Sequence, residues 1–272
     1  MTTETAMIRL TDQEFQEFVQ FVRTNFGINL EKKRLLIEAR LFSILSKKNV
    51  SSFTEYLNLV RNNPDELNIM LNRLTTNHTY FMREPRHFEF LKEVMLPDLT
   101  KNNRDKCLRI WSAGCSTGEE AYTAVMVMKD WFGPATDWDY RVLATDISTK
   151  VLQEALMGVY SPENLQNLPA AWKVKYFQKQ DEQTYVLSDE IKKEVIFRKL
   201  NLMDSFPFQN PFDLIFCRNV MIYFDQETKN RLVQKFYNSL KPGGYLLIGH
   251  SETIQRDTIP FRYIEPSIYQ KG

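Results

Sequence analysis

"RIWSAGCSTGEEAYTAVMVM" (residues 109–128) runs from an apolar stretch through a turn of small residues into two acids and a helix-like tail. Strand, tight turn and helix in this order form the unit in which nucleotide-binding folds grip phosphate, using backbone N–H groups and usually a Lys. Here the turn offers Gly114 and Gly118 but no Lys, and Glu119 and Glu120 place negative charge where a phosphate would sit. The ligand that suits such a turn is neutral or cationic close to it.

Working outward, "CLRIWSA" (107–113) reads as a strand, followed by the turn and a helix over 118–132. "YRVLATDIS" (140–148) is a second strand, ending in Asp146, and "PFDLIFCRNVMIYF" (211–224) a third, with a helix near 226–240. "KPGGYLLIGH" (241–250) is a turn and strand, and "FRYIEPSIYQ" closes the chain. Strands alternating with helices predict a parallel sheet with crossover connections. Between 175 and 200, "TYVLSD" and "KEVIFRKL" show little helical period and predict a small antiparallel insertion.

Residues 1–100 read as helices. Thr11 with Glu14 forms a capping box, and Phe15, Phe18, Val19, Val22 and Phe26 follow at helical spacing up to Gly27. A second helix near 30–48 carries Ile37, Leu41, Ile44 and Leu45 on one face. Ser52 with Glu55 caps a third, "NPDEL" (63–67) opens a fourth, and another starts after Pro85 with Phe88, Leu91 and Met95 inward. The polar stretch "KNNRDK" (101–106) then separates the two patterns. The expected division is a helical domain over 1–85, a linker helix and linker over 86–106, and an α/β domain over 107–272 with its insertion at about 175–200.

Composition sets bounds on function. The 272 residues carry a formal charge of +1, with 25% charged and 43% hydrophobic residues, so nothing demands nucleic acid. No apolar run approaches the ~18 residues of a membrane span, and the N-terminus lacks a signal-peptide core, so a cytoplasmic protein with no membrane insertion is expected. Cys107, Cys115 and Cys217 form no C-x-x-C pair, which points to reduced thiols and no metal site.

In an open α/β sheet, ligands bind beyond the carboxyl ends of the strands. Asp146, at the end of the second strand, can accept both hydroxyls of a ribose, or alternatively cap the helix that follows. The turn and Asp146 together favour a nucleoside. A dinucleotide calls for G-x-G-x-x-G, which is missing from this turn. S-adenosyl-L-methionine has no phosphate but carries a sulfonium, an ammonium and a carboxylate. Glu119 or Glu120 suits its cationic end, and an Arg its carboxylate.

"LTTNHTYFMRE" (74–84), "WSAGCSTGEEAYT" (111–123), "ATDIS" (144–148), "NLMD" (201–204), "FDLIFCRNVMIYFD" (212–225) and "LKPGGYLLIGHSE" (240–252) resemble, in order, the motifs of the chemotaxis receptor methyltransferases, the CheR family. The resemblance implies an all-α N-terminal domain joined to a Rossmann-like S-adenosyl-L-methionine methyltransferase domain with a small β-subdomain insertion. It implies methyl transfer to chemoreceptor glutamates, giving γ-methyl esters and S-adenosyl-L-homocysteine. Position by position, it implies that Asn77, Thr79 and Arg83 reach the cofactor, that Glu120 is its acidic partner and that Asp146 holds the ribose. Asn201 with Leu202, and Arg218 with Asn219, match segments flanking the adenosine and the reaction centre. Tyr223 matches a tyrosine near the transferred methyl, so Arg83 and Tyr223 are the expected catalytic positioners. A glutamate, with an unperturbed pKa of about 4.3, is already an anionic nucleophile at neutral pH, so no general base is required.

For partners, the resemblance implies the methylation helices of chemoreceptors. The basic second helix, with Lys32, Lys33, Arg34 and Arg40, is the expected docking face on a monomer. Some members also dock a receptor tail peptide on the β-subdomain, framed by a Gly-containing turn. Residues 176–197 contain no Gly and a short turn, "KQDEQ", so tight tail tethering is not expected here. The rival readings are methylation of another carboxylate and a non-catalytic adaptor that binds the cofactor.

Overall fold

The computed structural model describes residues 8–75, 77–101, 103–255 and 259–272. Thr76 of the "LTTNHTYFMRE" motif and Asn102 of the polar linker lie outside the described residues. The chain divides into two compact units, Met1–Thr76 with Tyr223–Asp225, and Asn77–Ile222 with Gln226–Gly272.

The first unit contains α1 (Asp12–Phe26), α2 (Arg34–Lys47), α3 (Phe53–Asn62) and α4 (Pro64–Leu74). Its local signals act as the sequence implies. The Thr11 hydroxyl accepts the Glu14 N–H, while the Glu14 carboxylate takes the Thr11 N–H. Ser52 caps α3, and Asn63 caps α4 with Pro64 at its first position. The buried faces, including Phe18, Ile37, Leu41, Leu45, Phe53 and Tyr56, form the core. Tyr223–Asp225 belong to this unit. The Tyr223 carbonyl accepts the Asn29 N–H at 2.7 Å, Phe224 bridges to Ile28, and Asp225 pairs with Arg23 at 2.7 Å.

The second unit begins with α5 (Pro85–Phe90), a π-helical turn (Leu91–Met95) and α6 (Leu96–Lys101). Residues 77–101 belong to it because Phe81, Phe88, Leu91, Met95 and Leu96 are buried in its core. The boundary therefore falls at 76/77, where a division at 85 and a linker helix were expected. There follow β1 (Cys107–Ala113), α7 (Glu119–Phe132), β2 (Asp139–Asp146), α8 (Thr149–Met157), β3 (Val159–Tyr160), α9 (Ala170–Tyr176), β4 (Phe177–Lys179), β5 (Tyr185–Leu187), α10 (Asp189–Lys192) and β6 (Val195–Lys199). The chain continues through β7 (Phe212–Cys217), a 3-10 turn (Met221–Tyr223), α11 (Gln226–Ser239), β8 (Leu240–Ile248), β9 (Phe261–Glu265) and β10 (Ile268–Lys271).

A seven-stranded sheet has the order β6-β2-β1-β7-β8-β10-β9. Its first five strands are parallel, β10 is antiparallel to β8, and β9 is antiparallel to β10. The antiparallel insertion is a separate three-stranded sheet, β3-β5-β4. It differs from the expected 175–200 segment at both ends: Val159–Tyr160 joins it, and Val195–Lys199 leaves it to pair in parallel with β2. A strand shows the same two-residue alternation whichever sheet it joins, so periodicity cannot tell which neighbour β6 will choose.

The connections run in opposite directions from β1 and β7, which are adjacent, so the loops leaving them open a crevice at the carboxyl end of the sheet. Beneath it Trp111, fully buried, donates its indole N–H to Thr145 at 2.9 Å amid Phe206, Phe208, Phe212 and Phe236. Among the described residues, no helix is long and apolar enough to cross a membrane.

Candidate functional site

Three strand ends meet at the crevice. After β1 the chain turns through Gly114 (φ +84°), Ser116 (φ +49°) and Gly118 (φ +94°). A Cβ on Gly114 would sit 2.4 Å from a Val220 methyl, and one on Gly118 would stand 3.0 Å from Ala155 and the Tyr122 ring. Both positions thus need glycine for conformation and for space. The Thr145 carbonyl, at the end of β2, accepts the N–H groups of Gly114 and Cys115 at 2.8 and 2.9 Å. Asp146 secures the same junction, its two oxygens taking the N–H groups of Ser116 at 3.0 Å and Ser148 at 2.9 Å. Burial raises the Asp146 pKa, and these backbone donors partly offset the rise.

The paired acids divide their roles. Glu119 is fully buried and accepts the Thr117 hydroxyl at 2.7 Å and the Asn164 amide at 3.0 Å. Burial pushes its pKa up to about 7. Glu120 turns the other way, accepting the Ser112 hydroxyl at 2.7 Å and facing Arg218 at 3.2 Å. Burial raises its pKa while the guanidinium opposes that rise. Only Glu120 therefore presents its charge to the crevice.

Arg218, directly after β7, is the central cation. Its side chain is 2% exposed and reaches Glu84 at 3.1 Å and Glu120 at 3.2 Å, with a further donor on the Arg83 carbonyl. Its guanidinium lies 5.4 Å from the centre of the Phe88 ring. Burial works to raise the Glu84 pKa, but Arg218 and the His250 N–H bring it below the ordinary value. A buried cation flanked by two carboxylates is the arrangement in which charges survive desolvation. Asn219 follows at φ +58°, its N–H held by Glu252 at 3.0 Å and its amide 3.4 Å from Glu84.

The remaining expected residues each have their own local partners. The Arg83 guanidinium donates to the His78 carbonyl at 2.6 Å. Asn77 offers its carbonyl to the Ser116 hydroxyl at 3.4 Å, and Thr79 its carbonyl to Asn164 at 3.3 Å. Asn201 and the buried Leu202 follow β6, whose Lys199 stands level with Asp146 in the parallel strand register. Asn201 accepts the Met203 N–H at 3.1 Å, and Lys235 on α11 fixes this turn through the carbonyls of Leu202, at 2.6 Å, and Asp204. Tyr223 ends the 3-10 turn and belongs to the first unit. Glu84, His87 and His250 bring one ligand atom each within 4.8 Å of one another. That grouping suits a metal poorly, because Glu84 is already the counter-ion of Arg218, whose charge opposes a second cation. His87, fully buried, has its pKa lowered to about 3 by burial and Arg218.

The comparisons with known proteins converge. The CheR methyltransferase SAM-binding domain matches residues 77–269, and the CheR methyltransferase all-alpha domain matches residues 13–75. The chain is 47% identical over 273 residues to the chemotaxis protein methyltransferase of Borreliella burgdorferi, covering 97% of this chain and 96% of that protein. It is 38% identical over 255 residues to the chemotaxis protein methyltransferase of Escherichia coli, covering 91% and 87%. Against chemotaxis protein methyltransferase 2 of Vibrio cholerae, it is 36% identical over 254 residues, covering 92% and 88%. The chain belongs to the CheR family. It is an S-adenosyl-L-methionine-dependent methyltransferase of chemotaxis.

This candidate site has supports that the sequence did not announce. Glu84 and Glu252 lie inside the motifs but act across 134 and 33 positions, on Arg218 and Asn219. Asn164 and Lys235 lie in no motif, and an isolated amide or lysine in a polar segment carries no signal of what it will face.

Proposed function

We propose that this CheR protein transfers the methyl group of S-adenosyl-L-methionine to glutamate side chains of chemoreceptors, forming γ-methyl esters. The observation that carries the reading is the Arg218–Glu120 pair at the switch point of the sheet. An amino-acid end, with its ammonium and carboxylate, needs one acid and one guanidinium side by side. Glu120 would take the ammonium, Arg218 the carboxylate and Asp146 the ribose, with Asn77, Thr79, Asn201, Leu202 and Asn219 around the adenosine. The lysine-free glycine turn suits a ligand without phosphate. When bound, the cofactor supplies a sulfonium-borne methyl that a carboxylate oxygen takes up as the C–S bond electrons return to sulfur. The protein's part is alignment, worth up to ~7–11 kcal/mol in such displacements. Arg83 and Tyr223 would orient the substrate carboxylate without exchanging a proton.

For the receptor, Lys32 and Lys33 are exposed at the start of α2 and available for electrostatic steering. Arg34 pairs with Asp12 and stacks on Phe15 at 4.6 Å. Arg40, expected on the same face, instead donates to the Leu74 carbonyl at 2.6 Å and caps the end of α4. The turn between β4 and β5 is a tight side-chain-bonded one, with the Gln183 N–H on Asp181 at 2.7 Å, which favours direct capture of the methylation helices over tail tethering. Incubation with methyl-labelled cofactor and receptor-bearing membranes should label the receptor in a form that base releases as methanol. Label that resists base, or appears only on other proteins, refutes the substrate assignment. Receptors lacking their tails should be methylated as well as intact ones and in a salt-sensitive way.

A further inference from the structure

Asn164 lies in the loop between β3 and α9, outside every motif, yet it joins three segments. Its amide N–H groups donate to Glu119 at 3.0 Å and to the Thr79 carbonyl at 3.3 Å. Its side-chain oxygen accepts the N–H and hydroxyl of Ser161 at 3.2 and 2.8 Å, and its own carbonyl accepts the Phe81 N–H at 3.0 Å. Tyr160 of the insertion donates to the Thr117 carbonyl in the glycine turn at 2.7 Å. The Phe81 ring meets Tyr160 and Phe177 edge-on at 4.8 and 5.1 Å. Segment 77–81 is thereby fastened from behind to α7 and to the antiparallel insertion.

We propose that Asn164 is a positioning residue for cofactor binding, fastening the segment that carries Asn77 and Thr79 to Glu119 at the head of α7. This rests on the reading that Asn77 and Thr79 reach the cofactor. An amide is required because the position needs two donors on one side and an acceptor on the other. Alanine removes the donor to Glu119 Oε1 where water is excluded, leaving the carboxyl the Thr117 hydroxyl on its other oxygen, and aspartate sets one carboxyl against another. Among the described residues, the titratable groups shown acting on Glu119, Cys115 of the turn, Tyr122 of α7, Glu154 of α8 and Tyr160 of β3, carry no positive charge to relieve that repulsion. The antiparallel insertion becomes part of the cofactor site through the same contacts.

The test is calorimetry with S-adenosyl-L-homocysteine, plus initial rates on receptor membranes, for the full chain and its N164A, N164D, N77A and T79A variants. N164A should weaken binding about tenfold, the size of one lost hydrogen bond to a carboxylate, while kcat at saturating cofactor stays within about twofold. N164D should bind worse at pH 8.5 than at pH 6, where two facing carboxyls can share a proton. If N77A and T79A lose affinity while N164A binds like wild type, the proposal is overturned and the site reading stands. If all three bind like wild type, the site reading itself fails. A kcat loss in N164A matching its affinity loss, with a pH-independent N164D defect, marks a merely structural residue and also overturns the proposal.

Discussion

The turns after β1 and β7 flank one crevice, and each holds a non-glycine residue at positive φ with its N–H on a distant carboxylate, but they differ in glycine content and in charge. The β1 turn takes its conformation from glycines at 114 and 118, and Ser116 between them, at φ +49°, has its N–H held by Asp146 at 3.0 Å. The β7 turn has no glycine: Asn219 sits at φ +58° while Glu252 gathers the N–H groups of Asn219 and Ile222 at 3.0 and 3.1 Å. Their charges differ likewise. The carboxyl buried beside the β1 turn, Glu119, pairs with no cation among the described residues, whereas Glu84 and Glu120 share Arg218. One turn is shaped by leaving side chains out, the other by compensating charges brought in.

The sharpest way to break this contrast is Arg218→Met. It strands two carboxylates where water is scarce, and breaking such a pair costs about 3–5 kcal/mol. Urea unfolding should show that loss, and binding of S-adenosyl-L-homocysteine should collapse with it. A cost below about 1 kcal/mol would mean that charge does not hold the β7 side together.

Glu119 allows the matching test on the β1 side. Its folded pKa of about 7 lies above the ordinary 4.5, so the native state keeps a proton that the unfolded chain has released. Stability from this group is therefore greatest at low pH and is lost as pH rises from about 4.5 to about 7. Relative to Glu119→Gln, the wild type should lose on the order of 3 kcal/mol between pH 5 and pH 8. Parallel stability curves for the two proteins would show that the carboxyl is compensated after all.

Gly114→Ala asks how firmly the two turns touch. The new methyl would meet Val220, and overpacking costs about 1–3 kcal/mol, apart from the strain of positive φ. Adding Val220→Ala should recover the packing part and leave the strain, a coupling that a double-mutant cycle reads directly. Glu252→Gln should cost about 1–3 kcal/mol, since an amide nitrogen must face backbone donors in either orientation. Here kcat should suffer too, because Asn219 and the turn into Tyr223 lose their anchor.

This contrast also explains what could be read from the sequence. The glycines of the β1 turn, the helix caps of the first unit and the alternation of strands and helices are each patterns among residues within a few positions of one another, so they were visible. The choice of β6 for the main sheet, the burial of helix 85–101 in the second unit and the commitment of Arg40 to the α4 carbonyls depend on neighbours far along the chain. Within the candidate site, Asp146 and the Glu119–Glu120 pair are legible because strand ends are recognisable places for ligands, whereas the choice of Glu120 and Arg218 comes from the resemblance to the CheR motifs. Glu84, Asn164, Lys235 and Glu252 are not, because each gains its role only from what folding sets opposite it.

The smallest effect is expected from removing side chains at the strained positions. At Ser116, glycine relieves a left-handed strain of roughly 1–2 kcal/mol but adds unfolded-chain entropy of roughly 0.5–1 kcal/mol. It also gives up a long 3.4 Å hydrogen bond from the hydroxyl to the Asn77 carbonyl. These contributions nearly cancel, so Ser116→Gly should change unfolding stability by less than about 1 kcal/mol. Asn219→Gly relieves the same kind of strain, but it discards the amide facing Glu84 at 3.4 Å. Its backbone anchor to Glu252 remains, so it should be the more costly change of the two while staying milder than Glu252→Gln. Equal effects at 116 and 219 would show that both turns are governed by local backbone preference alone, and that the long-range carboxylates are not what shapes the β7 turn.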